Sequence, residues 1–350
     1  MDFDEAYPKR KIEEAERFIR GAWAGKEKIV YSAYPSEPVY RQVEDRDAMV
    51  ENAVQNILAG AGLPGFNIPR FIADYGTVST AAYWGGKKHT PVGGCIGIEP
   101  VFESAEDVPR ARPSDPGGRD AQRAVDDWKA ISARLGTDRL YCSLIDIQGP
   151  LNTAALLWKQ DDFMVAMYTE PKTVHKLLEQ VTDQIIAVIR NLLDRIGHVS
   201  GPLWPYIWLP KDIGIGITED YMPLVSQKLY KEFGIPYVER ISEAFGGLFI
   251  HCCGEYEHQF GNLVRSRINI LGLEFSYPHV MPERLFEAFG SSVLFVPGLS
   301  PQCEAEFPRK LEFIRFLGER RLPGTRVWFI LEPSENTFME QVSVIEKMMD

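Results

Sequence analysis

Gly247-Leu248-Phe249-Ile250-His251-Cys252-Cys253-Gly254 is a short apolar run that ends in an imidazole and two thiols. The apolar part reads as a buried β-strand. Side chains alternate across a strand, so His251 and Cys253 share one face and Cys252 takes the other. An imidazole and a thiolate side by side at a strand end form half of a zinc site. His-x-Cys alone is a weak motif, and a buried cysteine is as a rule a small hydrophobe. Cys252 is therefore read as packing, and His251 and Cys253 as the candidate ligands.

Working outward, apolar runs of strand length alternate with helical patterns. The expected strands are Phe66–Ile72, Cys95–Val101, Leu140–Ile147, Trp204–Leu209, Gly247–Cys252, Ile268–Leu273, Val293–Val296 and Val327–Leu331. Pro171–Ile196 carries Val174, Leu177, Leu178, Val181, Ile185, Val188 and Ile189 on a 3.6-residue stripe. Helices are also expected over Tyr221–Phe245, with a kink or break at Pro236, and over Pro282–Phe289, Glu304–Arg320 and Ser334–Met349, the last with Ser334 as N-cap. Strand-then-helix alternation implies parallel pairing, and about eight repeats imply a (β/α)8 TIM barrel more than an open sheet. Residues 1–65 are expected to be a helical N-terminal elaboration and 66–350 the barrel catalytic domain. Pro109–Arg119 reads as a loop.

Composition narrows the classes. The 350 residues are 45% hydrophobic and 25% charged, an ordinary globular balance. A net charge of -11 argues against a nucleic-acid partner, which needs a basic face. No apolar run suits a membrane span or a signal segment, and five cysteines without a disulfide spacing fit a reducing compartment. The expected location is cytoplasmic.

A barrel places its active site at the C-terminal ends of its strands. Those ends supply Asp146, Gln148, Asp212, His251, Cys253, Glu274 and Glu332. His251, Cys253 and Glu332 are the expected zinc ligands, with Cys303 as a reserve. Glu332 could instead cap a helix or pair with an arginine, and Asp146 could merely tie neighbouring loops. Cys95 and Cys142 read as structural, and His258 and His279 as surface residues. Phosphate loops and nucleophile elbows are absent, and Gly214-Ile215-Gly216 lacks the third glycine of a dinucleotide fingerprint. Trp84, Trp158, Trp204, Trp208 and Tyr221 near loops suit a flat or apolar ligand, or a core.

Three longer stretches carry a family resemblance. Asp146-Ile-Gln-Gly-Pro-Leu-Asn-Thr-Ala-Ala-Leu-Leu, followed by Asp162-Phe and Tyr168-x-x-Pro171, resembles the uroporphyrinogen decarboxylase superfamily. So does Tyr221-Met-x-Leu-x-Ser-x-x-Leu-Tyr-x-x-Phe-x-Ile-Pro-Tyr237. Phe249-Ile-His-Cys-Cys-Gly254 resembles the strand-five signature of its methyltransferase branch, where His-x-Cys-Gly binds zinc. The likeness spans roughly residues 66–349 and implies a (β/α)8 barrel. It also implies a zinc-dependent methyltransferase that works with a corrinoid (cobalamin) presented by a partner protein. The arginine-rich substrate motif of the metal-free decarboxylases is not matched: only Tyr40-Arg41-Gln42 stands near its place.

The resemblance departs at one ligand. The second zinc-binding cysteine of that branch is replaced here by Ile330-Leu331-Glu332-Pro333. A carboxylate in place of a thiolate makes a harder, more Lewis-acidic zinc, suited to polarising a leaving oxygen or nitrogen rather than activating a thiol acceptor. The expected reaction is demethylation of a small donor, such as a methoxylated aromatic or a methylamine, with the methyl passing to the corrinoid. Asp146 or Gln148 would position the substrate, Asp212 would line its site, and Glu274 could supply a proton. Two other readings compete. One is a metal-free decarboxylase using Arg41, Arg70 or Arg112. The other is a non-catalytic barrel binding a corrinoid or another small ligand.

Overall fold

The computed structural model describes residues 2–34, 45–90, 96–300, 303, 306–307 and 309–349. The expectations placed on Cys95, Glu304 and Tyr40-Arg41-Gln42 lie outside them. In chain order the strands are β1 (Ile29–Ala33), β2 (Arg70–Phe71), β3 (Lys88–His89), β4 (Gly97–Ile98), β5 (Tyr141–Ser143), β6 (Val199–Ser200), β7 (Ile215–Thr218), β8 (Leu248–His251), β9 (Ile270–Tyr277), β10 (Leu294–Leu299) and β11 (Arg326–Leu331).

Six of them form a parallel sheet in the order β1-β11-β10-β9-β8-β7, and three more a parallel sheet β2-β5-β6. β3 and β4 pair antiparallel as a small ribbon outside both. Parallel strands need crossovers, and helices such as Pro171–Arg195 and Ile235–Phe245 supply them. Both faces of the sheet are thereby covered, and β1 and β7 are buried along their whole length. The protein is thus α/β with a central parallel sheet. Among the described residues no continuous ladder closes it into a barrel. Where the sheets meet, Thr218 N–H donates to the Ile147 carbonyl at 2.9 Å and Gly149 N–H to the Thr218 carbonyl at 2.8 Å. On the other side Phe66 N–H donates to the Tyr31 carbonyl at 3.0 Å.

Two strands depart from the sequence expectation in ways that matter for the site. The run Trp204–Leu209 is not a strand; after β6 the chain leaves the sheet and returns as β7 at Ile215. Glycines disguise β7, because Gly-Ile-Gly-Ile has low strand propensity. They are required by close approach. A Cβ on Gly216 would sit 2.0 Å from Pro202 Cβ, and one on Gly214 would sit 2.5 Å from the Gly247 carbonyl. The second strand is β1, which lies within the expected helical elaboration yet pairs along its length with β11. The boundary expected at residue 65 therefore cuts through the sheet-bearing unit.

The helices follow their local chemistry. Pro171–Arg195 opens on a proline, which tolerates the first turn, and buries the apolar stripe including Leu177, Leu178, Ile185 and Ile189. Each such side chain contributes roughly 1.5–3 kcal/mol on burial. The helical segment expected over Tyr221–Phe245 breaks at Gly234 into Gln227–Phe233 and Ile235–Phe245, with Pro236 in the first turn of the second. Ser226 caps the first piece by accepting from Leu229 N–H. The last helix is Phe338–Met349, so Ser334 lies before it and is not its N-cap.

Candidate metal centre

Two strand ends and the middle of a third strand build the site. β7 ends at Thr218 and continues into Glu219-Asp220; β8 ends at His251; β9 carries Glu274. Glu219 N–H donates to the His251 carbonyl at 2.8 Å, which locks the two strand ends in register. Asp220 is thereby set against the turn after β8. Its Oδ1 accepts from Cys253 N–H at 3.2 Å and lies 3.5 Å from Cys253 Sγ. The same oxygen is 3.8 Å from His251 Nε2.

His251 is oriented from behind. Its Nδ1 faces Glu274 Oε2 in a close hydrogen bond, leaving Nε2 toward Asp220 and Cys253. Tyr256 O–H donates to the Glu274 carbonyl at 2.7 Å, which steadies that part of β9. Burial disfavours a charged imidazole, but Glu274, Cys253 and Asp220 outweigh it and raise the His251 pKa well above its ordinary value. One ligand atom each from Asp220, His251 and Cys253 lie within 4.8 Å of one another. An imidazole nitrogen, a thiolate and a carboxylate are suitable zinc donors, and a carboxylate behind the imidazole is the usual outer partner of a zinc-bound histidine. Cys253 is exposed, whereas Cys252 is fully buried on the opposite face, as the alternation requires.

The structure does not bring Glu332, expected as the third ligand, to this group. Among the described residues Glu332 does not join the group; Lys310 Nζ donates to it at 3.4 Å and its side chain is 58% exposed. Cys303 is buried and also stands outside the group. Asp220 is the acid that the fold brings beside His251 and Cys253, because β7, not the run ending before Asp212, is the strand beside β8. Asp212 itself precedes β7 and pairs on the surface with Arg20, at 2.8 and 2.9 Å. It lines no site. Gln148 is buried, its Nε2 donating to Asp146 Oδ1 and its Oε1 accepting from Asn152, each at 2.8 Å.

Two buried acids lie beneath the metal group. Burial pushes the Asp146 carboxyl up to about 7, against the opposing pull of the Gln148 hydrogen bond and of His251. Among the described residues its Oδ2 has no partner. Burial pushes Glu219 up to about 8, despite the hydrogen bond from Tyr230 O–H at 2.9 Å. Both acids can therefore hold a proton near neutral pH.

A cavity of about 750 Å³ opens beside this group, and Glu274 stands in its wall. Tyr34, Trp204 and Tyr206 line one side, Lys310, Glu332 and Glu335 another. The volume suits a small organic ligand. Of the arginines considered for carboxylate binding, Arg112 donates to the Pro109 and Ala111 carbonyls of its own loop. Arg70 is buried behind the aromatic side. Among the described residues, no helix is long and apolar enough to cross a membrane.

Asp220, Glu219 and Tyr34 were not singled out from sequence. The signal for the first two was the Ile-Gly-Ile-Thr run that ends on two acids; for Tyr34 it was Ile29-Val30-Tyr31, a β-branched and aromatic run.

Comparison with known proteins bears on the fold. No protein-family model matches the chain, and no curated relative does. Solved structures do match. A methyltransferase from Methanosarcina mazei superposes with a TM-score of 0.68 at 16% sequence identity, covering 96% of this chain and 98% of that one. The likeness extends over nearly the whole of both chains and is one of fold.

Proposed function

We propose that this protein is a methyltransferase that uses a zinc ion held by His251 Nε2, Cys253 Sγ and the Asp220 carboxylate. The observation that carries the reading is the convergence of those three donors at adjacent strand ends, beside an open cavity. The shared fold with a methyltransferase adds to it. So do the stretches resembling the zinc branch of the uroporphyrinogen decarboxylase superfamily. On this reading the two parallel sheets are the two parts of one interrupted (β/α)8 barrel. β6 and β7 share a single stave: β6 pairs with β5 at Cys142 and Ser143, and β7 meets its continuation at Gln148.

Bound there, zinc would supply Lewis acidity of the hard kind that a carboxylate-containing ligand set favours. The chain's own residues do the rest. Glu274 holds the His251 ring so that Nε2 faces Asp220 and Cys253. Gln148, locked by Asn152, holds Asp146 Oδ1 and leaves Oδ2 unpartnered. Asp146 holds a proton near neutral pH, and Oδ2 is the atom from which it would be given to a leaving group. The substrate would be a small methylated donor, a methoxylated aromatic fitting the aromatic wall better than a methylamine. The acceptor would be a corrinoid carried by a partner protein that approaches the cavity mouth.

The test is demethylation of methoxylated aromatics by the full-length protein, supplied with zinc and a reduced corrinoid protein. Methyl-corrinoid formation that disappears in Cys253→Ala supports the reading. Zinc-loaded protein that methylates a thiol from methylcobalamin but demethylates no ether or amine overturns it.

A further inference from the structure

The helix Pro150–Leu157 follows the segment beyond β5 that carries Asp146 and Gln148, and Asn152 stands buried in its first turn. Its side-chain amide is engaged at both ends. Nδ2 donates to Gln148 Oε1 at 2.8 Å and to the Thr218 carbonyl at 3.1 Å, and Oδ1 accepts from Tyr221 N–H at 2.8 Å. Two of these three partners are backbone groups of the segment that runs out of β7. A backbone N–H only donates and a carbonyl only accepts, so the Asn152 amide has one permitted orientation. The helix and that segment approach closely. Gly149 N–H donates to the Thr218 carbonyl at 2.8 Å, and a Cβ on Gly149 would sit 1.6 Å from Glu219 Oε1.

The orientation propagates inward. Asn152 presents a donor to Gln148, so Gln148 must present its oxygen, and its Nε2 is turned to Asp146. Asp146 Oδ1 is thereby held as an acceptor at 2.8 Å. A proton on this carboxyl then belongs on Oδ2, which has no partner among the described residues. The charged or titratable groups that bear on the carboxyl are His251, Asp74 and Asp220. The orientation also propagates outward. Asp220 is flanked by Glu219, whose N–H donates to the His251 carbonyl at 2.8 Å, and by Tyr221, whose N–H Asn152 holds. One tie runs to the strand of His251 and the other to the helix of Asn152, and both set the carboxylate between them.

We infer that Asn152 is a positioning residue that couples the two halves of the site: it fixes the acidic proton of Asp146 on Oδ2 and, through the Tyr221 N–H, the backbone that carries Asp220. A hydrogen-bonded chain of fixed polarity, from Tyr221 N–H through Asn152 and Gln148 to Asp146, joins the metal-ligand segment to the proton donor. This deepens the proposed function and rests on that reading for the zinc ion and for the use made of the proton.

Two readouts separate coupling from a merely structural role. The first is infrared spectroscopy of the metal-free, full-length protein at about pH 5, below the value of about 7 to which burial raises Asp146. The carbonyl stretch of the protonated acid is the band that Asp146→Asn removes. The second is zinc affinity by chelator competition. Asn152→Leu keeps the shape and removes the amide. It should shift or split the Asp146 band and weaken zinc binding at least about fivefold, less than the loss of a direct partner of a ligand costs. Asn152→Ala takes its place if the leucine variant does not fold. Gln148→Met cuts the chain on the acid side only; it should shift the band and leave zinc affinity within about twofold. A folded Asn152 variant with both readouts as in the parent overturns the inference. So does a change in one of them alone, since the residue then serves one half only, and so does an unchanged band in Gln148→Met. Both changes in a protein that transfers no methyl group support the inference and overturn the functional reading; methyl transfer with neither change does the reverse.

Discussion

At the ends of β7 and β8, Asp220, His251 and Cys253 bring their ligand atoms within 4.8 Å of one another, and among the described residues no Lys or Arg pairs with any of them. At the ends of β10 and β11, Glu332 and Glu335 sit near a single cation, Lys310, at 3.4 and 3.8 Å. Both places offer carboxylates, and a carboxylate at a strand end is the feature that made Glu332 attractive from sequence. The difference is the company each keeps. A donor cluster left unbalanced invites a cation from outside, whereas an acid already matched by lysine on an exposed surface has little to gain from one.

The widest gap between the two sides should appear on removing a donor. Cys253→Ala and His251→Ala should each lose zinc and abolish methyl transfer, while Glu332→Ala should keep both within about twofold, since exposed ion pairs contribute little. Metal analysis and methyl-corrinoid formation on the same preparations check this. A smaller effect should follow from the residue that only orients. Glu274→Gln should weaken zinc binding by about 10–100-fold without abolishing it. A chelator competition titration reads the difference.

The acids beneath the cluster sharpen the comparison through pH. Asp146 has its pKa raised from 3.8 to about 7 by burial. A raised acid contributes stability that is fully present below its unfolded value and is lost as pH rises through its folded value. Metal-free parent protein should therefore lose thermal stability between about pH 4 and about pH 7, and Asp146→Asn should flatten that decline. Thermal melts across this range check the sign. The smallest effect belongs to Asp212, far from both sides. Asp212→Asn removes a surface pair with Arg20 whose side chains are 63% and 44% exposed. It should cost at most about 1 kcal/mol in denaturant unfolding and leave zinc content unchanged.

Much of this was legible in the chain. Gly247–Cys252 was expected and β8 runs Leu248–His251; Val327–Leu331 was expected and β11 runs Arg326–Leu331. These are apolar runs whose burial is written in their composition. His251, Cys253 and Glu274 came from the same logic of strand ends, and the structure brings them together. Asp220 was hidden because its strand carries glycines that the packing of Pro202 and Gly247 demands. With Trp204–Leu209 read as the strand instead of β7, Asp212 stands where Asp220 does in the structure, whereas Glu332 was drawn from the end of the last strand, where the resembled family has its second cysteine. Tyr34 was hidden for a different reason. β1 lies between the amphipathic helix Lys9–Trp23 and a helix over Arg46–Gly60, and its pairing with β11 makes it a strand. Pairing over so long a sequence separation adds nothing to the short local signal of Ile29-Val30-Tyr31.

The most direct test of the account is zinc stoichiometry, measured on parent, Asp220→Ala and Glu332→Ala proteins after loading and exhaustive dialysis. The account predicts near one equivalent in the parent and in Glu332→Ala, and a large loss in Asp220→Ala. A parent that retains no zinc, or zinc lost in Glu332→Ala and kept in Asp220→Ala, would contradict it.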